Sequence, residues 1–133
     1  MASEYLHSYS TEILILGFIM VTFLQSGIDK LVDWKGNTGW LKEHFSKTFL
    51  GGIVPLMVGT IMLMEMASGL LAVIGIAGLL FYGNTYFALC ACFLACVTLI
   101  FLLFGQRIAK DYAGAFTLTG YFIISLFGVY ILS

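Results

Sequence analysis

Four long apolar runs, broken only by short polar stretches, leave this chain few folds to choose from. They lie at about 13–32, 55–75, 78–104 and 113–132. A helix rises ~1.5 Å per residue, so each run can cross a hydrocarbon core of roughly 30 Å. The runs are near-continuous rather than alternating, which argues for spanning helices and against barrel strands. Charged residues make up 10% of the sequence and hydrophobic ones 61%, with a mean hydropathy of +1.04. A soluble domain carries about 25% charged residues, so water has too little polar surface to surround here. The expected fold is all-α: one integral membrane domain over residues 1–133, built as a four-helix bundle. The net charge of −1 gives no basis for binding nucleic acid.

The connections shape that bundle. Gly75-Ile-Ala-Gly78 offers a tight apolar turn between spans two and three, which predicts an antiparallel hairpin there. Gly105 to Tyr112 is a short polar link between spans three and four. The first link is long, and within it Trp40, Leu41, Phe45, Thr48 and Phe49 recur opposite Lys42, Glu43 and Lys47. That spacing predicts a short interfacial helix over about 38–50, capped by Asn37 or Thr38 and serving mainly as a connector. Met1 to Thr11 has neither the basic start nor the cleavage site of a signal peptide, so the first span is expected to be retained.

All six Lys and Arg residues fall on the side holding loops one and three. The excess of basic residues predicts that these loops are cytoplasmic and both termini outside.

Glu65 is the exceptional residue, since no other ionisable acid or base interrupts 53–104 apart from the thiols and tyrosines. A carboxylate at mid-bilayer costs at least ~2.5 kcal/mol even on lenient scales, so it should face inward and have a partner. Counting from Pro55, Glu65 lies about 15 Å deep, Gln25 and Ser26 about 11–12 Å, Asn84 about 20 Å and Lys30 only about 4–5 Å. These depths predict a polar seam of Gln25, Ser26, Glu65 and Asn84, with Thr85, Thr117, Thr119 and Tyr121 contributing. Gln25 and Asn84 are the expected partners of Glu65, because a lysine near the interface gains by extending outward to water. Glu65 then serves either as a hydrogen-bonded link between helices or as a site for protons or a polar head group such as that of a quinone.

Asp29, Lys30, Asp33, Arg107, Lys110 and Asp111 are expected to form a charge cluster at the loop side of the membrane. Cys90, Cys92 and Cys96 lie within one apolar run and read as packing residues. Ala88, Cys92 and Cys96, like Ala91 and Ala95, repeat every four residues, a spacing that lets helices approach closely. No spacing of His, Cys or carboxylates suggests a metal site.

The chain resembles the DoxX-like family of small four-span membrane proteins. The similarity lies in Gly27-Ile-Asp-Lys30-Leu31-Val-Asp33-Trp-Lys-Gly36, in Pro55 followed by Glu65-Met-Ala-Ser-Gly69-Leu-Leu, and in Gln106-Arg107-Ile-Ala-Lys110-Asp111-Tyr112-Ala-Gly114-Ala. It covers nearly the whole chain. The resemblance implies a four-helix membrane bundle, and some relatives are membrane subunits of quinone-linked sulfur oxidoreductases. The functional expectation is a small subunit of a larger bacterial inner-membrane assembly, in contact with lipid and other membrane proteins, with a polar site for a quinone or lipid around Gln25, Glu65 and Asn84. The alternatives are a proton-linked transporter or conduit using Glu65, and a thiol oxidoreductase using Cys92 or Cys96.

Overall fold

A computed structural model describes residues 2–44, 46, 51–108 and 110–133. Six α-helices follow in order: α1 (Ala2–Ser8), α2 (Ser10–Val32), α3 (Trp34–His44), α4 (Val54–Tyr82), α5 (Tyr86–Ile108) and α6 (Tyr112–Leu132), with a 3-10 turn at Gly51–Ile53 before α4. Helices α2, α4, α5 and α6 are each long and apolar enough to cross a membrane. The fold is therefore the all-helical bundle expected of such runs. Helix α2 packs along α4, α4 along α5, and α5 along α6, while α2 and α6 touch less extensively.

Contacts between spans depend on small residues. A Cβ on Gly75 would stand 2.8 Å from the Ala88 Cα, so the α4 and α5 backbones meet there. A Cβ on Gly69 would meet the Leu24 Cγ at 2.5 Å, and one on Gly27 the Met66 Sδ at 2.6 Å, which fixes α2 against α4. A Cβ on Gly128 would stand 2.6 Å from the Cys92 Sγ and 3.1 Å from Ile15, where α6 closes on α5 and α2. Ala88, Ala91, Cys92, Ala95 and Cys96 are all buried, as their spacing suggested. Leu16, Ile19, Phe23, Ala72, Leu79 and Leu99 fill the space between these contacts.

The turn between the second and third spans differs from the expected one. Gly75 to Gly78 lie within α4, which continues to Tyr82; Gly83 then adopts φ 64° and caps it by donating its N–H to the Gly78 carbonyl. The Asn84 N–H reaches the same carbonyl at 3.0 Å. Glycine tolerates this left-handed conformation because it has no Cβ to clash. The apolar Gly75–Gly78 stretch marks a close helix contact, and hydropathy alone does not distinguish that from a turn. Helix α4 is 29 residues long, or about 43 Å at ~1.5 Å per residue, which exceeds the core of roughly 30 Å. Exposed Tyr82, Tyr86 and Tyr130 ring that far end, as aromatic residues do at a membrane interface.

The short helix of the first link starts at Trp34, ahead of the expected cap at Asn37 or Thr38. Its inward stripe is Trp34, Thr38 and Leu41, with Trp34 and Leu41 packing on Val54 and Val58 of α4. Trp40 points outward. Phe45, Lys47, Thr48 and Phe49 of the expected amphipathic stretch lie outside the described residues.

Candidate functional site

The α2–α4 register builds the site. Leu24 lies against Gly69 and Gly27 against Met66, so the two antiparallel helices advance in step. One further turn along α2 brings Lys30 level with Glu65. The Lys30 Nζ stands 2.8 Å from the Glu65 Oε1, and the two side chains are 17% and 2% exposed. This corrects the sequence expectation, in which Lys30 sat near the interface and reached for water. Helix α2 does not end in a free loop: Asp33 is followed at once by α3, and Trp34 lies 3.6 Å from where a Gly59 Cβ would be. Leu41 of α3 lines the same small cavity as Lys30, and the ammonium turns inward to Glu65.

Ser26, one turn back from Lys30, accepts from the Lys30 ammonium through its hydroxyl at 2.7 Å and more weakly through its carbonyl at 3.5 Å. Glu65 Oε1 is fully buried, and among the described residues no donor reaches it at a hydrogen-bonding angle. The ammonium lies within ion-pair distance but off that axis. The contact is therefore an ion pair rather than an aligned hydrogen bond. A buried ion pair is costly to desolvate and is weak evidence for stability by itself. Its placement is therefore more informative than its strength.

Glu65 forms the inner wall of a cleft of about 400 Å³. The cleft opens where α2 and α6 diverge, between Val21, Thr22, Gln25, Ser26 and Asp29 on one side and Leu118 and Tyr121 on the other; Leu99 and Leu102 of α5 back it. Phe18 and Tyr121 meet edge-on, with ring centroids 5.7 Å apart, where the two helices converge. Three of the four expected seam residues, Gln25, Ser26 and Glu65, thus share one cavity. Thr22, Leu99, Leu102 and Leu118 were not foreseen; nothing in their local sequence separates them from ordinary span residues.

Asn84 is not brought to Glu65. It sits in the α4–α5 turn, exposed, where its Oδ1 accepts the Tyr86 N–H at 2.8 Å and caps α5. The helical rise from Glu65 to Tyr82, the last residue of α4, separates them by about 25 Å. Three turn-forming residues in a row, Gly83, Asn84 and Thr85, carried that signal. Thr117 and Thr119 are also outside the seam: both are exposed and bond back to Ala113 and Ala115 carbonyls at 3.2 Å. Buried Ser68, Thr98 and Ser125 likewise satisfy themselves on carbonyls four residues earlier.

The expected charge cluster divides into separate roles. Lys30 enters the bundle and Asp29 lines the cleft. The Asp33 carboxylate lies against Gly36 in the first turn of α3, leaving no room for a Cβ there. Asp111 caps α6, its Oδ1 accepting the Gly114 N–H at 3.0 Å. The Arg107 guanidinium lies over the Tyr112 ring at 5.4 Å. Lys110 takes φ 62° and donates its N–H to the Arg107 carbonyl at 3.1 Å, ending α5.

A second, smaller cavity of about 100 Å³ lies toward loops one and three. Lys30 and Gln106 supply its polar lining, and Leu41 of α3 covers it. Among the described residues no group of three or more His, Cys, Asp or Glu side chains converges as a metal site would require. Cys92 and Cys96 are buried free thiols and Cys90 is half-buried. No protein-family model, curated protein or solved structure matches the chain.

Proposed function

We propose that this protein is a small DoxX-like integral subunit of a bacterial inner-membrane assembly, and that the α2–α6 cleft holds the polar head of a quinone-like lipophile. The observation that carries the reading is the composition of that cleft. Apolar Val21, Leu99, Leu102 and Leu118 stand in its walls beside polar Thr22, Gln25, Ser26, Asp29 and Tyr121, it opens between two spans, and Glu65, paired with Lys30, forms its inner end. Polar groups placed beside apolar surface fix the orientation of a ligand that has both a polar head and an apolar body. Gln25 and Ser26 supply neutral donors and acceptors for a carbonyl or hydroxyl head, while Leu118 and Leu99 suit its hydrocarbon body.

The orientation in this reading follows from charge. All six Lys and Arg residues belong to the end that carries loops one and three, so these face the cytoplasm and both termini face outward. Membership in a larger assembly rests on the family resemblance. Extraction in a gentle detergent tests it: a partner protein should co-purify with the chain, and a lone monomer contradicts it.

Photolabelling with an azido-quinone in lipid nanodiscs tests the cleft. Label should appear on Val21, Thr22, Leu118 and Tyr121, be displaced by unlabelled quinone, and be lost in Thr22→Trp and Leu118→Trp, which fill the space. Label scattered over lipid-facing positions such as Phe116 and Ile123, unaffected by either variant, would refute the reading.

A further inference from the structure

The two members of the ion pair face different cavities. Glu65 lines the cleft, and Lys30 lines the loop-end cavity. Their contact is the partition between the two spaces, and Leu102 contributes to both walls. The titratable groups lining these cavities, among the described residues, are Asp29, Glu65 and Tyr121 in the cleft and Lys30 alone in the loop-end space. Any proton passing from the loop end toward Glu65 by way of this cavity meets Lys30 first.

The loop-end cavity suits water. Its volume of about 100 Å³ far exceeds the roughly 10–15 Å³ needed for one molecule, and the Lys30 ammonium and Gln106 amide provide the polar partners that a buried water requires. On the far side, Glu65 and Ser26 both line the cleft.

We propose that Lys30 and Glu65 relay protons between loop-end water and a protonatable head group bound in the cleft. The proposal rests on the cleft being occupied as described above, and adds to it the exchange of protons with that occupant. In the inward direction, Lys30 gives one proton to the Glu65 carboxylate, leaving a neutral amine beside a neutral acid. Glu65 passes that proton to an acceptor oxygen of the head group, and the amine takes a proton from hydronium in the loop-end cavity. One proton moves from loop-end water to the head group, both side chains return to their starting state, and no electron moves. The ligand class is a lipophile with an ionisable oxygen, such as a hydroxyquinone.

An alkyl hydroxynaphthoquinone provides the test, because its colour reports its own ionisation. The protein in nanodiscs is loaded with this probe and subjected to a rapid acid jump, and the bound probe's absorbance is followed. Lys30→Arg keeps the positive charge, but a guanidinium does not give up its proton. Leu41→Trp fills the loop-end cavity without touching the cleft. The double variant Lys30→Met with Glu65→Gln removes both charges and leaves no unpaired ion. Each should slow protonation of the bound probe by at least about tenfold, at the low end of what positioned acids and bases contribute, and Leu41→Trp should leave probe affinity unchanged. Binding with the same protonation rate in all three variants overturns the relay alone. Failure of the wild-type protein to bind the probe overturns the occupied cleft, and the relay with it.

Discussion

Lys30→Met tests the energetics of the centre. At 2.8 Å, with an effective dielectric constant near 20, the gross attraction between the two charges is about 6 kcal/mol. Desolvating both ions consumes much of this, so the pair's net worth is small. Removing one partner is different. Glu65 is 2% exposed, and without the ammonium it becomes an uncompensated buried charge, at a cost of about 3–5 kcal/mol. Glu65→Gln should cost less, about 1–3 kcal/mol, because Lys30 retains Ser26 and the loop-end cavity. The double variant should lie near the wild type, since it buries no ion. A double-mutant cycle should therefore give a coupling of at least ~2 kcal/mol, measured by reversible unfolding in mixed micelles or by steric trapping in bilayers. Additive single effects, with the double variant the least stable of the four proteins, would refute the reasoning.

Other perturbations probe the frame around this centre. Gly75→Ala should destabilise by about 1–3 kcal/mol, because the new methyl meets Ala88 backbone atoms at 2.8–2.9 Å. Gly17→Ala has nothing within 4 Å of its added Cβ and should be neutral or stabilising by about 0.5–1 kcal/mol; the same unfolding assay compares them. Asp111→Ala removes the cap of α6 and should cost about 1 kcal/mol, whereas Asp111→Asn should retain most of it. In folded protein, a small alkylating reagent followed by mass spectrometry should modify half-buried Cys90 ahead of buried Cys92 and Cys96. Rapid labelling of Cys92, which is wedged against Gly128, would contradict this packing.

Much of the fold was legible because bilayer thickness limits what long apolar runs can do. Four runs gave four spans, and the spacing of Ala88, Cys92 and Cys96 marked a true contact face. The position of the second turn was not legible. Gly75 and Gly78 look like turn residues, yet a glycine also serves where two helix backbones touch, and both settings are apolar in a membrane. The polar triplet Gly83-Asn84-Thr85 was the better signal.

For the site, depth counting from helix ends brought Gln25, Ser26 and Glu65 together but misplaced Lys30 and Asn84. Such counting assumes that spans begin and end at the same level. Here the glycine contacts at Gly27 and Gly69 set the level of α2 against α4, and α3 folds back over the end of α2. Lys30 consequently has Glu65 within reach and keeps only 17% of its side chain exposed. Asn84 was counted as part of a span that begins only at Tyr86. Neither the stagger nor the cover supplied by α3 is written in local composition; both arise from tertiary contacts.

The contact between Lys30 and Glu65 lies at the heart of this account, and solid-state NMR in lipid bilayers measures it directly. With 15N in the lysine side chains and 13C in the glutamate carboxyl groups, the Lys30 ammonium should be strongly dephased by the Glu65 carboxyl carbon, as expected for an N–O separation of 2.8 Å, and Glu65→Gln should remove the effect. A Lys30 signal without dephasing, exchanging with water like those of Lys35 and Lys42, would mean that the ammonium extends out of the bundle and that the partition between the two cavities does not exist.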